Sequence, residues 1–340
     1  MFHPRVKGSY YEMGYKYGSI LYEQGFTVPE QTSEKLDFGR KSEKEVRRFF
    51  PEILEEIRGF ADACHTSYEN LVAFILTIGA FKAEPMCSAF ATFNGSDVVF
   101  GRNYDFYYRF KEYTGSYLTC PKEGYSSVGH SDIFVGRDDG VNEKGLAIAI
   151  TGIEEKIIKP GINFILAVRY VLDKCASVKE CVKTLSDAHF STTNNYLLAD
   201  KGGNMAVVEA SPDRVRVRRP EEGDSFIVCT NHFLHPEMLE TEKQKERCWD
   251  SMPRYTTIYN ALKQQDGKID VKTAQKILSN HTGYVCSHQK NIKLGTLWSI
   301  IANLNKLQIL RAEGHPCRAK YEPDTRLNKA IQTGQTGSKS

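Results

Sequence analysis

The chain predicts an α+β fold in which two antiparallel sheets stack face to face and helices cover them. Three observations carry this. Residues from about Met13 to Ala83 read mostly helical. At Cys87 the pattern switches to alternating strands separated by Gly-bearing turns. Helical stretches then recur between the later strands, the arrangement of an α+β domain rather than of alternating βα units.

In chain order, Ile53, Ile57 and Phe60 recur at helical spacing with Glu55, Glu56 and Arg58 between them. Ser67-Tyr68-Glu69-Asn70 offers a cap before the apolar run Leu71 to Leu76. Met86 to Phe93 and Val98 to Phe106 flank Asn94-Gly95-Ser96-Asp97, a hairpin signal because Gly accepts the positive φ of tight turns. Leu146 to Ile150 follows a Gly turn. Tyr196 to Ala199 and Met205 to Val208 flank the hairpin signal Lys201-Gly202-Gly203-Asn204. Arg214 to Arg218 alternates strictly, which predicts a strand with one charged face. Phe226 to Thr230 is a short buried-type run. Leu297 to Ala302 and Leu307 to Leu310 form a late strand pair. Helices are predicted over Asn163 to Leu185, Pro253 to Lys263 and Val271 to Ser279, and a disordered tail from Thr333. No repeat of solenoid length is present.

The 340 residues suffice for one large domain or two ordinary ones. A net charge of +3 is small for this length and gives no case for nucleic acid or an acidic membrane surface. No apolar run approaches a bilayer span, and the first residues do not read as a signal peptide. Nine cysteines, an odd count without repeated spacing, exclude a complete disulfide framework and point to reduced thiols in a cytoplasm.

Pairing the two strands about Asn94-Gly95 sets Arg102 opposite Ala89, on the same face as Cys87. A thiol with a guanidinium beside it is expected to have a lowered pKa. Cys87-Ser88-Ala89-Phe90 followed by Gly101-Arg102-Asn103-Tyr104-Asp105 resembles the start of the mature chain in N-terminal-nucleophile (Ntn) hydrolases of the isopenicillin-N acyltransferase and choloylglycine hydrolase branch. Further blocks resemble the family in the same order: Asp139 to Leu146, Asn195 to Asp200 running on to Val208-Glu209-Ala210, Thr230-Asn231-His232, and Gly295 to Ser299 with Gly314-His315-Pro316-Cys317. The segment Gly8 to Gly18 resembles the pro-segment of the acyltransferase type, which bile-salt hydrolases usually lack.

The resemblance implies a four-layer αββα sandwich. Residues 1–86 would be a helical pro-segment that becomes a small subunit after cleavage between Met86 and Cys87, residues 87–332 the Ntn domain, and 333–340 a tail. It implies that Cys87 is the nucleophile, that its freed α-amine is the base, and that Asp105 orients that amine. On strand periodicity alone, Cys87 would be an ordinary buried strand cysteine. Ideal alternation puts Asp105 on the face opposite Cys87, so a bulge or strong twist is expected. Asn231 is the candidate oxyanion donor or, more plainly, a turn-capping Asn; Asn195 is the second amide candidate. Arg311 and Arg318 are the local options for a late Arg near the site. Tyr104 opens an aromatic run that would line an acyl pocket or simply be core.

No cofactor is expected. No metal is expected either, because Cys286-Ser287-His288 and His315-Pro316-Cys317 match no four-ligand zinc spacing. The implied activity is a self-processing cysteine amide hydrolase or acyltransferase acting on a linear amide through an acyl-thioester on Cys87. The acyl donor would be an N-acyl amino acid, an acylated amine or a β-lactam side-chain amide. Its partners would be the small-molecule substrate and its own pro-segment, with room for a homo-oligomer and none for nucleic acid or membrane. The competing readings are a bile-salt-hydrolase-like enzyme and an unprocessed binding protein on the same fold.

Overall fold

The structure, a computed structural model, describes residues 1–80, 86–153, 157–239 and 250–337, with side chains described to residue 333. It opens with β1 (Arg5–Gly8) and four helices: α1 (Tyr10–Glu23), α2 (Ser33–Phe49), α3 (Pro51–Ala63) and α4 (Tyr68–Leu76). Then come β2 (Met86–Phe93), β3 (Val98–Tyr107), β4 (Gly115–Pro121), β5 (Ser127–Ser131), β6 (Asp139–Asn142) and β7 (Leu146–Gly152). Helices α5 (Phe164–Lys174) and α6 (Val178–Ser186) follow. Next are β8 (Asn194–Asp200), β9 (Met205–Ala210), β10 (Val215–Arg218) and β11 (Phe226–Cys229). The chain continues through α7 (Pro236–Leu239), α8 (Ser251–Lys263), α9 (Val271–Leu278), β12 (His288–Gln289), β13 (Leu294–Asn303), β14 (Gln308–Glu313), β15 (Glu322–Asp324) and α10 (Arg326–Gly337).

Two sheets result. One has eight strands in the order β1-β4-β5-β6-β7-β8-β9-β10; the other runs β11-β2-β3-β13-β14-β15, with β12 added on β13. All pairings are antiparallel except β1 with β4, which is parallel. The inner faces meet in one apolar layer. Cys87, Ala89, Ala91 and Phe100 from β2 and β3 pack there with Leu197, Ala199 and Val207 from β8 and β9. The outer face of the second sheet, with Phe90, Val99 and Val228, lies under Ile258 and Leu262 of α8 and Leu278 of α9. The outer face of the first sheet is covered by α1, α3 and α4 together with α5 and α6. These are the four layers expected.

The hairpin forms as the sequence predicts. Gly95 takes φ +96°, and Asn94 Oδ1 accepts from the Ser96 and Asp97 amides. Ser67 caps α4 through Asn70 N. The single helix expected over Asn163 to Leu185 is two, broken at Cys175, because Ser177 starts a second capped helix. The stretch from Thr333, expected as a disordered tail, continues α10 as far as Gly337; residues 338–340 lie outside the described residues.

The region before Cys87 is more than a helical appendage. Its β1 supplies an edge strand to the first sheet. Its α1 and α3 press so closely that a Cβ on Gly14 would lie 1.9 Å from the Glu56 carbonyl oxygen, and one on Gly59 2.2 Å from that of Tyr11. Glycine is therefore required at both positions. A buried polar cluster joins this region to α5: Glu56 takes Arg169 in a two-point pair at 3.1 and 2.8 Å, Arg169 Nε donates to Asp173 at 2.8 Å, and Tyr10 donates to Asp173 at 3.0 Å. Among the described residues, no helix is long and apolar enough to cross a membrane.

Candidate active site

Cys87 and Arg102 lie on the inner face of the second sheet, and the register pairs Ala89 with Arg102 as the hairpin requires. Arg102 Nη2 donates to Cys87 Sγ at 3.3 Å and to the Ile150 carbonyl at 3.2 Å, while Nη1 pairs with Asp139. Both side chains are fully buried. Asp139 also meets His130 Nδ1 at 2.6 Å and accepts from Trp298 Nε1 at 2.9 Å. Burial alone would raise the Asp139 carboxyl, but Arg102 and then His130 outweigh it and hold it below its ordinary value. Asp139 thus fixes the guanidinium against the thiol.

The lowered thiol pKa expected from Arg102 is not the net result. Burial raises the Cys87 thiol to about 11, and the pull of Arg102 in the other direction is smaller. Burial therefore favours the protonated thiol near neutral pH.

The backbone of Cys87 is held as firmly as its side chain. Its N–H donates to Asn231 Oδ1 at 2.7 Å, and its carbonyl accepts from Arg254 Nη1. Asn231 lies just beyond β11, which pairs with β2 and so delivers it to the start of that strand. Its Nδ2 donates to the Gly152 carbonyl at 2.7 Å. Arg254, on α8, donates from Nη1 to Ser88 Oγ at 3.1 Å and from Nη2 to Asn231 Oδ1 at 2.9 Å and Asp250 Oδ1 at 3.2 Å. Gln289 Nε2 donates to the other Asp250 oxygen at 2.9 Å. Among the described residues, no histidine hydrogen-bonds Cys87.

Asp105 sits opposite Met86 on β3, facing away from the thiol, as alternation dictates. No bulge turns it around. The pairing of β2 with β3 is regular, and the register shift lies on β13 between Thr296 and Trp298. Asp105 Oδ1 accepts from Thr296 Oγ1 at 2.5 Å, whereas its buried Oδ2 has no hydrogen-bond partner among the described residues. Burial raises this carboxyl to about 7, against the opposing pull of Arg254.

The other candidates divide. Asn195 Nδ2 donates to Thr151 Oγ1 at 3.2 Å and to the carbonyls of Thr230 and His232 at 3.0 and 3.1 Å. It braces the loop that carries Asn231. Tyr104 pairs in register with Cys87 and stacks on Trp298 with centroids 3.8 Å apart, its hydroxyl donating to Asp132 at 3.0 Å. Arg311 is a correction. It lies two strands from Arg102, through Ile300, roughly 10 Å away by strand spacing. Its guanidinium is taken up by Asp324 at 2.6 Å, Ser116 at 3.2 Å and Glu313 at 3.1 Å. Arg318 lies in the turn after β14. The late arginine that reaches Cys87 is Arg254, which lies in none of the sequence blocks that resemble the family. A signal existed: Arg254, Ile258 and Leu262 are spaced four apart on the buried stripe of α8, so the arginine had to point inward.

The family model described as acyl-coenzyme A:6-aminopenicillanic acid acyl-transferase matches residues 92–317, well over half of the chain. The chain belongs to that acyl-transferase family, within the Ntn hydrolases. The match spans Arg102, Asp105, Asn195, Asn231 and Arg254 and begins after Cys87. An uncharacterized protein of Archaeoglobus fulgidus is 25% identical over 342 residues, covering 80% of this chain. The chain spans 56% of that relative's length. Among solved structures, a variant of conjugated bile acid hydrolase from Clostridium perfringens superposes with a TM-score of 0.50 at 17% identity, covering 70% of this chain and 96% of that one. At this identity the likeness shows the fold alone. Penicillin V acylase from Agrobacterium tumefaciens gives a TM-score of 0.45 at 18% identity, over 67% and 83% of the two chains.

Proposed function

We propose that this acyl-transferase family member is a precursor that cuts its own Met86–Cys87 bond and then hydrolyses or transfers the acyl group of a linear amide through a thioester on Cys87. One observation carries the reading. The Cys87 thiol, amide and carbonyl are each held by a different side chain, namely Arg102, Asn231 and Arg254, at the point where the sandwich begins. A merely structural strand cysteine needs none of these.

In the cut, Sγ attacks the Met86 carbonyl carbon. The C–N bond breaks, the Cys87 nitrogen gains the thiol proton, and Met86 is left as a thioester on Sγ. Water then adds to that carbonyl, releasing the Met86 carboxylate and restoring the thiol. The new α-amine, with a reference pKa of about 7.7–8.0, is a base near neutral pH and sits on the nucleophilic residue itself. Asp105 Oδ2, without a hydrogen-bond partner among the described residues, would accept a hydrogen bond from this amine. Arg102 would stabilise the thiolate, and Asn231 the oxyanion of the substrate's tetrahedral intermediate. An N-acyl amino acid, an acylated amine or a β-lactam side-chain amide are the substrate classes that fit a thiol acyl-enzyme.

Residues 1–86 would stay bound as a small subunit. The β1 strand, the apolar faces of α1 and α3, and the Glu56–Arg169 pair all favour retention. The eight cysteines among the described residues are free thiols, which supports a reducing, cytoplasmic location. Intact mass and N-terminal sequencing of fresh protein test the proposal. Two associated fragments are expected, the larger beginning at Cys87, while Cys87→Ala stays one chain. A wild-type chain that never splits overturns it and leaves an unprocessed protein on the Ntn fold.

A further inference from the structure

Away from the nucleophile, on the far side of Asp105, three chain segments bring four metal-binding side chains together. His281 comes from the turn after α9, Cys286 from the end of that turn, His288 from β12, and Cys317 from the turn after β14. One ligand atom from each lies within 4.8 Å of all the others. His288 Nε2 is 3.4 Å from Cys286 Sγ and 3.1 Å from Cys317 Sγ. A tetrahedral zinc ion with bonds of about 2.0–2.3 Å needs ligand atoms about 3.3–3.8 Å apart. The cluster therefore requires adjustments of at most about 1.5 Å in ligand spacing to enclose a metal ion.

The donor set also fits. Two thiols and two imidazoles are the ligands zinc takes in closed, four-coordinate structural sites. The linear spacing concealed this, because His281 completes the set only once the turn after α9 folds back, and Cys317 arrives from 29 residues beyond His288. His315, the histidine the sequence grouped with Cys317, instead stacks on His288 with ring centroids 3.8 Å apart and fixes the plane of that ligand.

We propose that His281, Cys286, His288 and Cys317 form a structural zinc site. On binding, the two thiols give up their protons to solvent and bind as thiolates, whose charge cancels that of Zn²⁺. The site clamps the 279–289 segment to the 314–319 turn. That segment backs the nucleophile region. Asn103 Nδ2 donates to the carbonyls of Leu278 and Val285, Ser287 N donates to the Thr296 hydroxyl that binds Asp105, and Gln289 holds Asp250. The metal thus takes no part in chemistry and stabilises the wall behind Asp105. The inference is independent of self-cleavage.

The test uses the full-length chain without an affinity tag, purified without chelators, dialysed against Zn²⁺ and desalted. Elemental analysis should find about one zinc per chain. Replacement by Co²⁺ should give the charge-transfer absorption of cobalt–thiolate bonds, retained in Cys87→Ala and lost in the Cys286→Ser, Cys317→Ser double variant. His281 is exposed, so His281→Ala should fold even if the double variant does not. It removes a direct ligand and should weaken zinc binding in a chelator competition by at least the roughly 10–100-fold that loss of an outer partner costs. The proposal is overturned by wild-type protein that holds only trace metal. It is equally overturned by full zinc binding in both variant proteins, or by a Cys286–Cys317 disulfide in a non-reducing peptide map of the wild type.

Discussion

Replacing Arg254 is the sharpest probe of how Cys87 is held. Its side chain is 1% exposed and that of its partner Asp250 is 3% exposed. The guanidinium makes four contacts, to the Cys87 carbonyl, Ser88 Oγ, Asn231 Oδ1 and Asp250 Oδ1. Arg254→Met keeps most of the volume but removes the charge. Asp250 is then left buried with Gln289 as its remaining side-chain donor among the described residues. Breaking a buried pair from one side costs about 3–5 kcal/mol. Arg254→Lys keeps the charge but not the fork, so its single ammonium cannot bridge Asp250, Asn231 and the Cys87 carbonyl together. The loss of one charge-assisted hydrogen bond costs about 1.5–3 kcal/mol.

The functional effect of Arg254→Lys should be of the same order as its effect on stability. Asn231 Oδ1 accepts from both Cys87 N and Arg254, which fixes the direction of its amide. Without Arg254 that amide keeps its bonds to Cys87 N and the Gly152 carbonyl but loses the charged donor on Oδ1, so its position shifts. Misplacement of a reacting group by about 1 Å can cost roughly 10²-fold in rate. Self-cleavage of Arg254→Lys, followed by intact mass over time, should therefore slow about 100-fold. Stability is read separately by urea unfolding in the Cys87→Ala background, where no chain is cut. An Arg254→Met protein within about 0.5 kcal/mol of its parent, with Arg254→Lys cleaving at the wild-type rate, would refute the reasoning.

Two further outcomes follow from the same geometry. Once cleaved and folded, Asn231→Ala should lose about 10²–10³ in kcat with KM nearly unchanged, because an oxyanion contact exists mainly in the transition state; an unaltered kcat makes Asn231 a turn residue only. In the uncut Cys87→Ala chain, Asp105 has a folded-state pKa of about 7, above the usual carboxylate value. The folded state therefore keeps this proton longer than the unfolded one. Its contribution is present in full below about pH 4 and is lost as pH rises to 7, by at most about 4 kcal/mol at 1.36 kcal/mol per unit. Stability of the Asp105→Asn chain, subtracted from that of its parent across this range, should remove that slope; a difference independent of pH contradicts the assignment.

What the sequence disclosed follows from the range of each signal. The hairpin and the facing of Arg102 toward Cys87 were legible because both depend on a period of two over a short, closed loop. Strands β4 and β5 were missed because Gly115, Ser116 and Ser127, Gly129 and Ser131 give no apolar alternation; their burial comes from neighbouring strands on both sides. The edge strand β1 is four residues long and carries Arg5 and Lys7 on its exposed face, so nothing local marks it as part of a sheet. Arg254 was hidden for a different reason. It lies 167 residues from the carbonyl it binds, and only its place on an apolar helical stripe showed that it points inward.

Asp105 shows how a correct local rule can lead to a wrong structural demand. Alternation places it on the face opposite Cys87, so a bulge or a strong twist is expected for the two to cooperate. The structure keeps the alternation and has no bulge between β2 and β3. The demand rested on treating both groups as side chains. The thiol is one and is bound to the inner face, where Arg102 meets it. The proposed amine is not: it is the backbone nitrogen at the end of a strand, and it lies in the plane of the sheet rather than on either face. Cutting after Met86 would expose that nitrogen beside the residue Met86 was paired with, which is Asp105. A strand terminus can therefore set its thiol against Arg102 on one face and its amine against Asp105 from the other, with regular pairing throughout.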